Sequence, residues 1–229
     1  MTYVDKVKHQ KKFHYENRIK RLNKKYNYDE FDEHEFHKTR KASTKPHLLK
    51  AIGRVALSLN DKEPESINVD DLDDVCFILM NSYKDLKHHN LGVGPLNDGE
   101  MIAVNFHRRG YKVFYLFNST KDKFLQFAHF FIKNTQKQLV IFYTGRAAKT
   151  GTHHSAIMFP EGLLEPDQLG QAFKDVEEIH SNVVLITDCC TGGSVWSIEE
   201  ILKNYGEKPC PNIMTLAVRK NASNMKKFD

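Results

Sequence analysis

The chain is short of the features that would place it outside the cell, in a membrane or around a structural metal. It holds four cysteines, at 76, 189, 190 and 210, and that spacing fits neither a metal site nor a disulfide framework. Cys189 and Cys190 are adjacent, so a bridge between them would strain the backbone. No apolar run approaches the roughly 18 residues that suggest a membrane span. The opening Met1-Thr-Tyr-Val-Asp-Lys6 lacks the charged-then-apolar pattern of a signal peptide. There is no internal repeat, no low-complexity tract and nothing that implies a cofactor. A reduced, cytoplasmic protein with no membrane partner is the expectation.

What is present is enough apolar matter for a core: 40% of the 229 residues are hydrophobic. Length suggests one domain with an extension, or two small domains. Charge is unevenly spread. Residues 1–50 carry fourteen Lys or Arg against seven Asp or Glu. An acidic stretch follows, with Asp61, Glu63, Glu65, Asp70, Asp71, Asp73 and Asp74. A basic arm suits nucleic acid or an acidic protein. No nucleic-acid motif accompanies the charge, so a solvated helical face, or a mate for the acidic stretch, is preferred.

Residues 1–74 therefore read as a charged, partly helical extension, with a short amphipathic helix over 48–57 and a charged linker over 60–74. From residue 75 to 229 the pattern is that of an α/β domain. Apolar runs at 75–80, 111–117, 139–143, 183–187 and 213–218 read as strands. Amphipathic segments near 101–110, 120–133 and 167–179 read as helices between them, and Ser155–Phe159 as a further short strand. Such alternation predicts right-handed crossovers and one mainly parallel sheet. In an open sheet of this kind, function collects at the carboxyl ends of the strands. Two ends stand out. Leu139-Val-Ile-Phe-Tyr143 runs into Thr144-Gly-Arg-Ala147. Val183-Val-Leu-Ile186 runs into Thr187-Asp-Cys-Cys-Thr-Gly-Gly-Ser194.

Several segments, in order, resemble the metacaspases and the wider caspase-like cysteine peptidases. Gly94-x-x-Asn97-Asp98 before a helix resembles their G-C-x-N-D segment, with Pro95 where cysteine is frequent. The 139–147 segment resembles the strand ending in Y-S-G-H-G. Ile157-Met-Phe-Pro-Glu-Gly162 resembles a hairpin of the family. Asp188-Cys-Cys190-Thr-Gly-Gly resembles D-S-C-H-S-G, and Met214–Val218 the first strand of the small subunit. The resemblance implies a caspase-like three-layer sandwich with a mainly parallel central sheet. It puts the nucleophile at Cys190, oxyanion-binding N–H groups at Ala147 and Cys190, and an acidic pocket for a basic side chain at Asp98 and Asp188. Asp98 also reads as a helix cap and Asp188 as a turn residue. The family histidine falls on Arg146. The family also continues through another helix and strand after the position of Val218, where this chain ends at Asp229.

The substitution at 146 decides the functional expectation. In a cysteine peptidase the imidazole takes the thiol proton and returns it to the leaving amine. An arginine can lower a nearby thiol pKa, but it cannot donate a proton near neutral pH. The leading expectation is a weak or inactive pseudopeptidase of the hydrolase lineage that binds basic peptides or a related peptidase. A second is an active endopeptidase cutting after Arg or Lys, with His153 or His154, across a flexible loop over 147–152, replacing the family base. A third is a scaffold whose basic arm binds nucleic acid or an acidic protein. His88-His89 reads as a loop pair, His180 as a favourable charge at a helix end, and Cys189 and Trp196 as packing. Asp188 aside, the stretch after the nucleophile position lacks the aspartates of calcium-activated relatives.

Overall fold

The computed structural model describes residues 44–83, 86, 89–150, 154–174, 176–189, 195–196 and 212–217. The chain divides into two units, residues 1–43 and 44–229, and every described residue belongs to the second. Its elements are, in order, α1 (Lys45–Ile52), β1 (Leu57–Ser58), β2 (Asp74–Met80), α2 (Gly94–Arg108), β3 (Lys112–Phe117), α3 (Lys121–Asn134), β4 (Gln138–Thr144), β5 (Ala147–Thr150), β6 (His154–Phe159), β7 (Gly162–Leu164), α4 (Pro166–Lys174), β8 (Asn182–Asp188) and β9 (Ile213–Ala217). Two single-turn 3-10 helices, Pro64–Ser66 and Val69–Asp71, lie between β1 and β2.

Six strands form one sheet in the order β1-β3-β2-β4-β8-β9, and every neighbouring pair is parallel. The five strands read from the sequence all belong to it. The runs of β2, β3 and β4 are nearly unbroken because helices cover both faces there, whereas β9 is largely exposed. On one face Leu48 and Ile52 of α1 and Leu96 and Ala103 of α2 pack on Cys76, Ile78, Met80, Val140 and Phe142. On the other, α3 and α4 bring Phe124, Phe127, Phe131 and Phe173 onto Phe77, Leu79, Leu139, Ile141 and Leu185. Phe131 is the hub of that second face, with its ring centroid 5.1 Å from Phe77 and 4.8 Å from Phe114. The helix predicted after Ser119 or Thr120 is capped by Thr120, whose hydroxyl accepts from the Lys123 N–H.

Four expectations are corrected. The extension ends at residue 43, not 74, because Leu48, Ile52, Leu59, Ile67 and Leu72 are buried core residues of the sheet unit. The helix expected over 48–57 stops at Ile52, and Leu57 instead pairs with Phe114 at the sheet edge. The helix expected to reach residue 179 stops at Lys174, which leaves His180 away from any helix end, with its Nδ1 3.8 Å from Glu178. The stretch 147–152, expected as a loop, begins with β5, which pairs antiparallel with β6. With β7 this makes a small separate sheet, β5-β6-β7, inserted between β4 and α4.

Candidate functional site

Strand register lines up the carboxyl edge of the sheet. Met80 is paired with Thr144, and Thr144 with Asp188. Side chains alternate along a strand and in-register neighbours share a face. Cys76, Ile78, Val140 and Phe142 pack on the α1/α2 face, so Met80, Thr144 and Asp188 belong to that face as well. The α2 helix delivers a second carboxylate to the same row. It begins at Gly94, with Val93 at its N-cap, so Asp98 lies inside the helix and is not its cap. The Thr144 hydroxyl donates to Asp98 Oδ2 at 3.2 Å. Asp98 and Asp188 thus flank Thr144, one from the helix above and one from the adjoining strand.

Gly99 makes this approach feasible. A Cβ at that position would lie 2.0 Å from the sulfur of Met80, a side chain that is fully buried. A side chain at 99 would force the buried Met80 thioether to move, so glycine favours the close seat of α2 on β2 beside the Asp98–Thr144 bond. Gly99→Ala is therefore expected to destabilise the fold by about 1–3 kcal/mol, as overpacking does. Urea unfolding measures it. A cost at the level of an ordinary surface change, within about 0.5 kcal/mol, would show that the close approach is not required.

The turn after β4 is held by two buried tyrosines. Tyr83, with φ of 55°, puts its hydroxyl 2.8 Å from that of Tyr143. Tyr83 donates to the Met158 carbonyl at 2.7 Å and accepts from the Arg146 N–H at 3.0 Å, while Tyr143 donates to the Arg146 carbonyl. Burial pushes both phenols above their ordinary pKa, so both are neutral hydroxyls at neutral pH. Gly145 is part of the same device. A Cβ there would come 2.5 Å from the Tyr143 hydroxyl and 2.9 Å from that of Tyr83.

Arg146, which the resemblance sets where a peptidase would keep its histidine, is half-buried. Its Nε donates to the His89 carbonyl at 2.7 Å, tying the β4 turn to the loop after β2. Its carbonyl also accepts from the Met158 N–H at 3.0 Å. In an antiparallel ladder hydrogen-bonded and non-hydrogen-bonded pairs alternate. Ala147 and Ile157 are therefore a non-hydrogen-bonded pair, and the Ala147 N–H points away from β6. His154 opens β6 opposite Thr150, three residues along β5 from Ala147, which is about 10 Å at the rise of a strand.

The structure therefore joins Asp98, Asp188, Arg146 and Ala147 around the ends of β4 and β8, adjacent strands in register. Cys189 is buried in the aromatic cluster on the opposite face, as is Trp196. Cys190, Gly192, Gly193 and His153 lie outside the described residues. The sequence assigns no site role to Thr144, Tyr83 or the His89 carbonyl. The polar run Asn81-Ser-Tyr83, abruptly ending an apolar strand, was the available signal. Among the described residues no helix is long and apolar enough to cross a membrane. No protein-family model matches this chain, and no curated protein matches it.

Proposed function

We propose that this chain is a caspase-like protein of the metacaspase type, in the cysteine endopeptidase lineage, that binds basic side chains of a peptide or of a related peptidase and cleaves weakly or not at all. The observation that carries this reading is the pair of carboxylates, Asp98 and Asp188, set on one face around Thr144 at the strand ends. Two carboxylates converging from a helix and a strand suit a guanidinium or ammonium group, since charge-assisted bonds to them are strong and directional. The weak-cleavage half of the reading rests on Arg146. It occupies the base position, its Nε is engaged by a backbone carbonyl, and it has no proton to give a leaving amine. His154 starts about 10 Å out along the hairpin, which disfavours it as the substitute base.

The test uses the full chain and fluorescently labelled pentapeptides that differ at one position. Arg and Lys peptides are expected to bind at least about tenfold more tightly than the Asp peptide, a difference of one charge-assisted contact, and to weaken as salt rises. Equal affinity for Arg and Asp peptides would overturn the pocket. Turnover of an Arg-fluorophore substrate that disappears in Cys190→Ala would replace the pseudopeptidase reading with an active endopeptidase.

A further inference from the structure

The other end of the sheet carries a groove that the strand-end site does not use. It exists because β1 is only two residues long, paired with Phe114 and Tyr115. Beyond that pairing the β3 edge is closed. The Leu59 N–H donates to the Tyr115 carbonyl at 2.9 Å, and the Asn60 amide bonds both the carbonyl and the N–H of Phe117, at 2.8 and 3.0 Å. Ahead of it the chain at Val55 and Ala56 turns back to the Ile52 carbonyl, and does not run alongside Lys112 and Val113. A cleft of about 540 Å³ opens there, between the β3 edge, the end of α2 and the 3-10 segment around Ile67.

Its chemistry is lopsided. Leu57, Ile67, Leu72 and Phe114 make an apolar floor, and Leu57 is left 45% exposed. The polar lining is rich in donors. Asn68 spends its amide oxygen on the Asp70 N–H, which leaves its NH₂ group to donate. His107 and Lys112 supply basic nitrogens, Lys112 being paired with Asp71 at the mouth. Among the described residues no Asp or Glu lines the groove. The end of α2 contributes about half a negative charge, which the neighbouring Arg108 and Arg109 exceed. Volume and lining match those of small-molecule sites, roughly 300–1,000 Å³ and mostly apolar with a few placed polar groups.

We propose that this groove binds an apolar carboxylate, an acyl chain on the Leu57–Phe114 floor with its anionic head toward His107, Asn68 and Lys112. The proposal is independent of the strand-end site, because the groove lies at the opposite, amino-terminal end of β3.

The test is a titration of the full ¹⁵N-labelled chain with octanoate, decanoate and decylamine, each below its micellar concentration. Decanoate is expected to bind about fifteenfold more tightly than octanoate, at about fourfold per buried methylene. Decylamine is expected to bind at least about tenfold more weakly than decanoate, since the lining offers donors to its cationic head. Shifts should centre on the amides of Leu57, Val113 and Phe114. Leu57→Asp should weaken decanoate by at least about tenfold, through a charge placed on the apolar floor. His107→Glu, at an exposed helix end, should weaken decanoate and spare decylamine, and it decides the matter should Leu57→Asp fail to fold. Decylamine binding as tightly as decanoate, shifts centred elsewhere, or indifference to both substitutions would overturn the proposal.

Discussion

Arg146→His is expected to raise amidase turnover on Arg-ended peptides by about 10²–10⁴, the usual contribution of positioned acid–base help. The backbone geometry needed for this does not depend on the arginine side chain. The Arg146 N–H and carbonyl are held by Tyr83 and Tyr143, and both contacts survive any side chain at 146. What the substitution gives up is the Nε bond to the His89 carbonyl, an anchor for the loop after β2. What it adds is a group that can hold and return a proton near neutral pH. The Ala147 N–H, which the resemblance implies as an oxyanion donor, is directed away from β6 and is untouched by the change. The measurement is turnover of Arg- and Asp-ended substrates by the wild type, Arg146→His, and Arg146→His combined with Cys190→Ala. Gain that persists without the Cys190 thiol would exclude it as the nucleophile. Preference for Asp-ended substrates would sink the acidic pocket. If the wild type already turns over and His153→Ala or His154→Ala abolishes it, the base lies on the hairpin. No gain in any variant would mean the site differs from a working peptidase by more than residue 146.

Neutralising the two carboxylates together, Asp98→Asn with Asp188→Asn, is expected to weaken binding of an Arg peptide by about 10²–10⁴. Each hydrogen bond to a charged group contributes about 1.5–3 kcal/mol, and each 1.4 kcal/mol is about tenfold in Kd. Asparagine keeps the shape, and its carbonyl oxygen can still accept from the Thr144 hydroxyl that now donates to Asp98. The fold should therefore stand, with an unfolding midpoint close to the wild type. Anisotropy titration reads the affinity, and each single variant should fall between the wild type and the double. A double variant that binds within about threefold of the wild type, under 1 kcal/mol, would remove Asp98 and Asp188 from the binding site.

Strands β2, β3 and β4 were legible because each is buried on both faces and must be apolar along its length. Val75–Met80, Leu139–Tyr143 and Val183–Thr187 announce themselves without reference to any neighbour. The edge strand β9 was legible from its apolar run although it is largely exposed, but the short edge segments were not. Leu57–Ser58 is a strand only because Phe114 and Tyr115 lie beside it, and Ala147-Ala-Lys-Thr150 only because β6 folds back along it. Neither stretch has a strand pattern of its own. The same holds for residues 44–74, whose charges suggested a linker while scattered apolar residues such as Leu59 and Leu72 sealed the core. Short segments take their conformation from partners, and partners distant in sequence leave no local trace.

The candidate site divides in the same way. By itself the sequence placed Arg146, Asp188 and Cys190 at breaks after apolar runs and Asp98 just ahead of a helical segment, and its resemblance to the metacaspases implied a missing base at 146. Residue type is a local property, and so is the inability of arginine to give up a proton. Only the tertiary structure decided that Asp98 and Asp188 share a face around Thr144, through strand register and through the glycine that lets α2 approach Met80. It likewise decided that the β4 turn hangs on Tyr83 and Tyr143, sixty residues apart. Register, close approach and buried hydroxyl pairs arise where elements meet, so they come into being only once the chain has folded.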